Sequence, residues 1–324
     1  MKLIIQIPCY NEAKSLSQTV ADLPSHVPGI DCIETLVIDD GSTDGTADAA
    51  RSLGIDHVVQ HRQNMGLARA FQTGLDAALR LGADIIVNTD ADNQYPGRYI
   101  PELVAPVLAG KADIVIANRQ IDNIEHFSPM KKLLQKLGSW TVRTVSGTDV
   151  PDAVSGFRAY TRDAALRLNI LTNFSYTLDT IIQAGKQGLI IESIPVETNG
   201  PIRPSRLQRS MGHFIKAQAS TIVRLYAFYE PLRTFSYIAL PFLLSGLFLW
   251  GRFFYTQLTG ASNQFIQSVT IGTGLLLVGL FIFLFGVQAD ITSKHRQMTQ
   301  ETLYRLKKLE LEQNKTAVNN PLAP

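Results

Sequence analysis

From the first residue to about position 200, short runs in which nearly every residue is apolar alternate with stretches whose apolar residues recur every three or four positions. The runs are LIIQI (3–7), ETLVID (34–39), DHVVQH (56–61), DIIVNT (84–89), DIVIAN (113–118) and LIIESIPV (189–196). Between them lie helical stretches such as EAKSLSQTVADL (12–23) and GLARAFQTGLDAALRLG (66–82). Strands apolar on consecutive residues are covered on both faces, so the pattern predicts an α/β fold with a Rossmann-like, mostly parallel sheet between helices. Ligands of such sheets collect beyond the carboxyl ends of the strands. Polar clusters fall there: PCYNE after the first run, DDGSTDGT after the second, TDADNQ after the fourth and NRQ after the fifth. The first run follows Met1 and Lys2 but is too short for a secretory apolar core and no small-residue cleavage site follows, so it reads as a buried strand.

The pattern changes beyond residue 200. Phe235–Tyr255 and Val269–Val287 are each almost wholly apolar. About 20 residues of helix span roughly 30 Å, the hydrocarbon thickness of a bilayer, so a two-helix transmembrane hairpin is expected. Pro241 is tolerable in a spanning helix, and Arg252 lies near an end, where it can reach the headgroups. Two buried core helices are the alternative, with little sequence left to cover them. The linker at 256–267 has no charge, whereas Arg224 and Arg233 precede the first span and Lys294 and Arg296 follow the second. The positive-inside rule therefore predicts both flanks, and the catalytic domain, on the cytoplasmic face of a multi-pass cell-membrane protein. Residues 202–233 mix Arg203, Arg206, Arg209, Lys216 and Arg224 with Phe214, Ile215, Ile222, Leu225 and Tyr226, as an amphipathic helix in the headgroup layer would; a solvated tether is the plainer reading. A second such stretch is 128–145, with Lys131, Lys132, Lys136 and Trp140. The expected organisation is a catalytic domain over 1–200, interface helices over 201–233, two spans within 234–288, and a charged cytoplasmic helix and tail over 289–324, the tail being a candidate homo-oligomer contact.

Composition narrows the function. The chain has 324 residues, enough for one large or two ordinary domains, and a formal charge of only +2, so nothing points to nucleic acid as a partner. Cys9 and Cys32 show neither a disulfide framework nor metal-ligand spacing, which suits a reducing compartment.

The chemistry is concentrated in the polar clusters. DDGSTDGT lacks the glycine spacing of a dinucleotide fingerprint, and no P-loop sequence occurs. Asp39 and Asp40 instead place two carboxylates at a strand end, able to accept from a base N–H and from ribose hydroxyls, with Ser42 or Thr43 as a helix cap; an Asp-Gly turn with a cap is the bland reading of this segment alone. In TDADNQ, Asp90 and Asp92 suit a hard dication, Mg2+ or Mn2+, that keeps positions open for diphosphate oxygens, and Gln94 could add a neutral oxygen. An acidic turn without a ligand is the alternative. The six histidines form no set with a serine and an aspartate, and read as structural or surface residues.

PCYNE, DDGSTDGT, NMGL (64–67), DADNQ and SGFRAY (155–160), followed by a charged interface segment and paired spans, resemble the family 2 glycosyltransferases of GT-A fold that load sugars onto polyprenyl phosphates. The similarity extends to dolichyl-phosphate mannose synthases and to bacterial undecaprenyl-phosphate glucosyl- and N-acetylglucosaminyltransferases. It implies that Pro8, Tyr10 and Glu12 line the nucleoside site, that Asp39 contacts the base with Asp40 close by, and that Gly66 lets the chain approach the nucleotide. Asp90 and Asp92 match the family's D-x-D, with Gln94 completing the metal site, and Arg119 matches an arginine expected to reach phosphate. Ser155 and Arg158 fall in the acceptor-side motif and, with Arg203 and Arg206, are expected at the acceptor phosphate. Some relatives carry an aspartate in that motif; this chain has Gly156-Phe157, and Asp152 and Asp179 are further carboxylates without an assigned role.

The resemblance implies transfer of a hexose from a nucleotide sugar to undecaprenyl or dolichyl phosphate, with UDP-glucose or UDP-N-acetylglucosamine favoured and GDP-mannose as the alternative. No base is required, because a phosphate monoester has its second pKa at about 6 and arrives largely dianionic. A processive polysaccharide synthase would want more spans, and a non-catalytic nucleotide-sugar-binding scaffold would not need the acidic pair.

Overall fold

The computed structural model describes residues 1–120, 129–170, 176–200, 224, 227–259 and 266–319. The apolar runs form the strands β1 (Lys2–Cys9), β2 (Cys32–Asp39), β3 (His57–Gln60), β4 (Ile85–Asn88), β5 (Ile114–Asn118) and β7 (Ile191–Pro195), of which β1, β4 and β5 are buried nearly throughout and β3 and β7, the sheet edges, only in part. The crossovers carry α1 (Leu16–Ala21), α2 (Thr46–Ser52), α3 (Leu67–Arg80) and α4 (Ile100–Leu108), and α5 (Pro129–Ser146), α6 (Arg162–Arg167) and α7 (Tyr176–Lys186) follow.

A further strand, β6 (Arg158–Thr161), arises from the SGFRAY segment that the pattern of apolar runs passed over. The sheet order is β3-β2-β1-β4-β6-β5-β7. β1 pairs parallel with β2 and β4, β2 with β3, and β5 with β7, while β6 runs antiparallel between β4 and β5. Reversal of β6 puts its beginning, not its end, beside the carboxyl ends of its neighbours. Residues 152–157 are thereby delivered to the rim that carries the polar clusters.

The sheet's two faces differ. One buries Leu3, Ile5, Ile7, Val37, Ile85, Val87, Val115, Phe157 and Ala159 against Leu16, Ile100, Leu103 and Val104, an apolar core. The other, beneath α3 and α7, buries Gln6, Asn88 and Arg158 with no exposed surface at all.

The chain divides into two compact units, one of residues 1–218 with 301–324 and the other of residues 219–300. In the second, α8 (Pro231–Leu258) and the first part of α9 (Ile266–Asn319) are long and apolar enough to cross a membrane. Glycines bring the two helices together. A Cβ on Gly246 would meet Leu276 Cγ at 2.7 Å and Gly272 O at 2.8 Å, and one on Gly279 would meet Leu243 Cγ at 2.8 Å. Small residues at helix contacts are the usual means of close packing where lipid removes the hydrophobic drive. Trp250 Nε1 donates to Thr273 Oγ1 at 3.1 Å across the same seam.

In the first unit, the last part of α9 lies on α3 and α6. Tyr304 donates its hydroxyl to Asp163 at 2.7 Å, Arg167 covers the Tyr304 ring with its guanidinium carbon 4.5 Å from the centroid, and Lys307 pairs with Asp76 at 2.8 Å. Of the two stretches expected at a membrane surface, residues 202–223, 225 and 226 of the first lie outside the described residues. α5 buries Ser139, Thr141, Val142 and Val145 and exposes Leu133, Lys136 and Trp140 on its outer side.

Candidate active site

The rim is assembled by loops that hold one another. After β1, Asn11 adopts a left-handed conformation, φ 54°. Its N–H donates to Ser42 Oγ at 2.8 Å, its side-chain oxygen accepts from the Thr43 N–H at 2.9 Å, and the Glu12 N–H donates to Thr46 Oγ1 at 2.9 Å. The loop after β1 is thus stitched to the loop after β2. Pro8 is buried near the end of β1, Tyr10 is exposed, and the Glu12 carboxylate accepts from the Ser15 hydroxyl at 2.6 Å.

The adjacent aspartates have different tasks. Asp39 Oδ1 accepts from the Ser42 N–H at 3.0 Å, whereas its Oδ2 is buried and has no hydrogen-bond partner among the described residues. A buried carboxylate oxygen without a donor is costly unless a ligand supplies one. Both oxygens of Asp40, by contrast, are already engaged by the protein. Its Oδ1 accepts from His61 Nδ1 at 2.7 Å and the Met65 N–H at 2.9 Å, and its Oδ2 from the Gly66 N–H at 2.8 Å. His61 Nε2 lies 3.0 Å from Thr73 Oγ1 on α3. Asp40 therefore shapes the 61–66 loop. Gly41 is required where that loop passes, since a Cβ would lie 2.4 Å from Gln63 backbone carbon; Gly66 has φ +90° and open space where a side chain would be.

Asp90 and Asp92 follow β4, both half-buried. The turn between them and Tyr95 forms because Asp92 Oδ1 accepts from the Gln94 N–H at 3.2 Å and Asn93 takes φ 52°. Asn199 pins it from the segment after β7, with its N–H on Gln94 O and its Nδ2 on Asn93 O, each at 2.9 Å. Burial, and then the Asp92 charge, push Asp90 up to about 7, against the pull of Arg119 and Arg158. Two carboxylates crowded in this way, with burial and mutual repulsion outweighing the two arginines, offer the donor chemistry that a hard dication satisfies. Among the described residues no group of three or more histidine, cysteine, aspartate or glutamate side chains is arranged for a metal. Asp90 and Asp92 form a two-carboxylate set, with half-buried Gln94 beside them on the turn, which suits an ion that takes its remaining ligands from phosphate and water.

Arg119, just past β5, is held by Asp152. Nε donates to Asp152 Oδ2 at 2.7 Å, Nη2 to Oδ1 at 2.9 Å, and the Arg119 backbone N–H reaches the same carboxylate at 3.2 Å. Burial opposes the charge on Arg119, but Tyr95, Asp152 and Asp90 outweigh it and hold its pKa above the ordinary arginine value. Nη1 has no hydrogen-bond partner among the described residues, so the fork is oriented with one edge to spare.

Arg158 is placed otherwise than the acceptor-phosphate expectation. It has no exposed surface, and its guanidinium donates to Ser155 O at 2.7 Å, Ala153 O at 2.9 Å and Thr180 Oγ1 at 2.6 Å. It supports the 153–155 loop from beneath. Ser155 is fully buried and Asp179 nearly so, while Arg203 and Arg206 lie outside the described residues. Gly156 packs directly on Asp90: a Cβ there would stand 3.2 and 3.3 Å from the two carboxylate oxygens and 2.6 Å from Tyr176 Oη. Sequence reasoning missed Asn88, His61 and Tyr176 and left Asp152 without a role. Only the polar residue inside an otherwise apolar run, as at Asn88, carried any signal.

Residues 4–168 match the model of glycosyl transferase family 2. An undecaprenyl-phosphate mannosyltransferase of Micrococcus luteus is 30% identical over 206 residues, 60% of this chain and 83% of that protein. A UDP-N-acetylglucosamine–dolichyl-phosphate N-acetylglucosaminyltransferase of Methanococcus voltae is 30% identical over 217 residues, 59% of this chain and 83% of that protein. Among solved structures, glucosyl-3-phosphoglycerate synthase from Mycobacterium tuberculosis, in complex with Mn2+, UDP and glucosyl-3-phosphoglycerate, superposes with a TM-score of 0.54 at 21% identity, covering 70% of this chain and 79% of that one. That likeness speaks to the fold alone. With half of its length matched by the family model, this chain belongs to glycosyl transferase family 2.

Proposed function

We propose that the protein is a membrane-bound, inverting glycosyltransferase that moves a hexose from a nucleotide sugar to a polyprenyl phosphate. The observation that carries the reading is the juxtaposition at one rim of the unpartnered Asp39 oxygen, the crowded Asp90–Asp92 pair and the oriented Arg119 fork. The relatives named for polyprenyl-phosphate acceptors and the two apolar helices support the acceptor class.

Asp39 Oδ2 would accept from a ring N–H of the base, with Gly66 leaving room for the nucleotide. Asp90 and Asp92 would hold Mg2+ or Mn2+, with Gln94 in reach, and the ion would neutralise the charge that gathers on the departing diphosphate. Arg119 would steady phosphate oxygens through the free edge of its fork. A lipid phosphate oxygen attacks the anomeric carbon from the face opposite the leaving group; the new O–C bond forms as the C–O bond to the diphosphate breaks, and configuration inverts. The nucleophile is already ionised, so no side chain need take a proton, and the work left to the protein is alignment of two anions that repel each other. UDP-glucose, UDP-N-acetylglucosamine and GDP-mannose are the candidate donors, relatives being named for mannose and for N-acetylglucosamine transfer. The spans would keep the rim at the cytoplasmic surface, within reach of an acceptor that stays in the bilayer, and Arg203 and Arg206 would meet its phosphate.

The test is to incubate the purified full chain in detergent with polyprenyl phosphate and a panel of nucleotide sugars, with and without Mg2+ or Mn2+, and to weigh the lipid product. One hexose added per lipid, only with metal, is expected. A ladder of products would instead indicate a processive synthase, and absence of turnover with every donor would leave a binding scaffold.

A further inference from the structure

Three polar residues cross the middle of the sheet in a single row. Gln6 of β1 is in register with Asn88 of β4, and Asn88 with Arg158 of β6. All three are fully buried, where the neighbouring positions on the same face are Ile4, Ile38, Ile86 and Ile116. A sheet centre gains nothing in stability from such groups, since each must be desolvated and then satisfied. Their hydrogen bonds run to one place. Gln6 Nε2 donates to Asn88 Oδ1 at 2.9 Å, and Asn88 Nδ2 donates to Gly156 O at 2.8 Å and to Tyr176 Oη at 3.2 Å. Arg158 takes the carbonyls of Ala153 and Ser155. The row thus grips three backbone carbonyls of residues 153–156 from below.

That loop is pressed against the acidic pair. Gly156 touches the Asp90 carboxylate, Tyr176 Oη borders the same point, and Phe71 of α3 stacks on the Tyr176 ring with centroids 4.2 Å apart. We propose that Gln6, Asn88 and Tyr176 are positioning residues that fix Asp90 and the 153–156 loop at one spacing, so that the dication site and the acceptor side of the rim are set together. The inference rests on the metal role proposed above for Asp90 and Asp92. Neither Asn88 nor Tyr176 touches the reacting atoms; each acts through Gly156 and Asp90.

The test separates positioning from folding. Binding of Mn2+ in the presence of UDP or GDP is measured by electron paramagnetic resonance on the full chain in detergent, alongside the melting temperature. Tyr176→Phe removes one hydroxyl and keeps the stacked ring; Mn2+ affinity should fall about 10-fold, as for residues that support metal ligands from behind, with a melting shift of about 2–4 °C. The double variant Gln6→Met/Asn88→Leu replaces the polar pair by apolar groups of similar size, and should melt near the wild type yet bind Mn2+ at least about 10-fold more weakly. Unchanged Mn2+ affinity in a folded Tyr176→Phe or double variant overturns the proposal. Failure of the wild type itself to bind Mn2+ with either nucleotide removes the metal role and this inference with it.

Discussion

Replacing Asp152 by alanine should cost the catalytic unit more stability than any single change at an exposed charge. Asp152 is fully buried, Arg119 is 8% exposed, and their two side-chain hydrogen bonds measure 2.7 and 2.9 Å. Breaking a buried pair by removing one partner costs about 3–5 kcal/mol, because the remaining ion keeps its desolvation cost and loses its compensation. Asp90 also faces Arg119 and offsets part of that loss, which puts the expectation at the low end, about 3 kcal/mol. A domain of about 150–250 residues moves by about 2–4 °C per kcal/mol, so the midpoint should fall by about 6–12 °C. Differential scanning fluorimetry of the detergent-purified chain reads this directly. The double variant Arg119→Met/Asp152→Leu, which removes both charges, should lose much less than the two single variants added together. An Asp152→Ala protein that melts within about 2 °C of the wild type, or strictly additive losses in the double variant, would refute the reasoning that Asp152 is the counter-charge holding Arg119.

Asp92→Asn should abolish transfer, and excess EDTA should do the same to the wild type; full activity in chelator would remove the metal from the mechanism. Asp40→Asn turns an amide N–H2 toward donors at Gly66, Met65 or His61, so the KM for the nucleotide sugar should rise by about 10-fold with kcat nearly kept; a fall in kcat alone would place Asp40 at the chemistry instead. Tyr304→Phe should raise hydrogen exchange in residues 301–313 at pH 7, because the Asp163 contact is lost. Burial raises the Asp163 pKa, but the hydrogen bonds from Arg167 and Tyr304 outweigh it and hold Asp163 below its ordinary value. The contribution of that carboxylate is therefore fully present above about pH 4 and is lost as the pH falls through its folded value. Wild-type protection of the segment should accordingly be the same at pH 7 and pH 5.

The parallel half of the sheet was legible because β1, β2 and β4 are runs that cannot be other than buried, and their polar ends announce the rim. β6 was not, since four residues beginning with an arginine look like a loop until two neighbouring strands cover them. Asp39 and Asp40 are indistinguishable in sequence; what separates them is His61 and the 65–66 backbone, supplied by the next crossover. Arg119 was placed correctly at the end of its strand, but its partner lies 33 residues away along the chain and only the fold brings the two together. Arg158 was read as a phosphate ligand by motif, and the register that turns it inward toward Thr180 is a property of the antiparallel pairing.

The reversed course of β6 couples the two sides of the rim. The polar clusters after β1, β2 and β4 hang from strands leaving the sheet, whereas the stretch from 147 to 157 arrives before its strand begins. Lengthening or exchanging that stretch would not slip the register of β1, β2 or β4, but it would disturb Arg119 through Asp152 and Asp90 through Gly156, so variation there has to keep those two contacts.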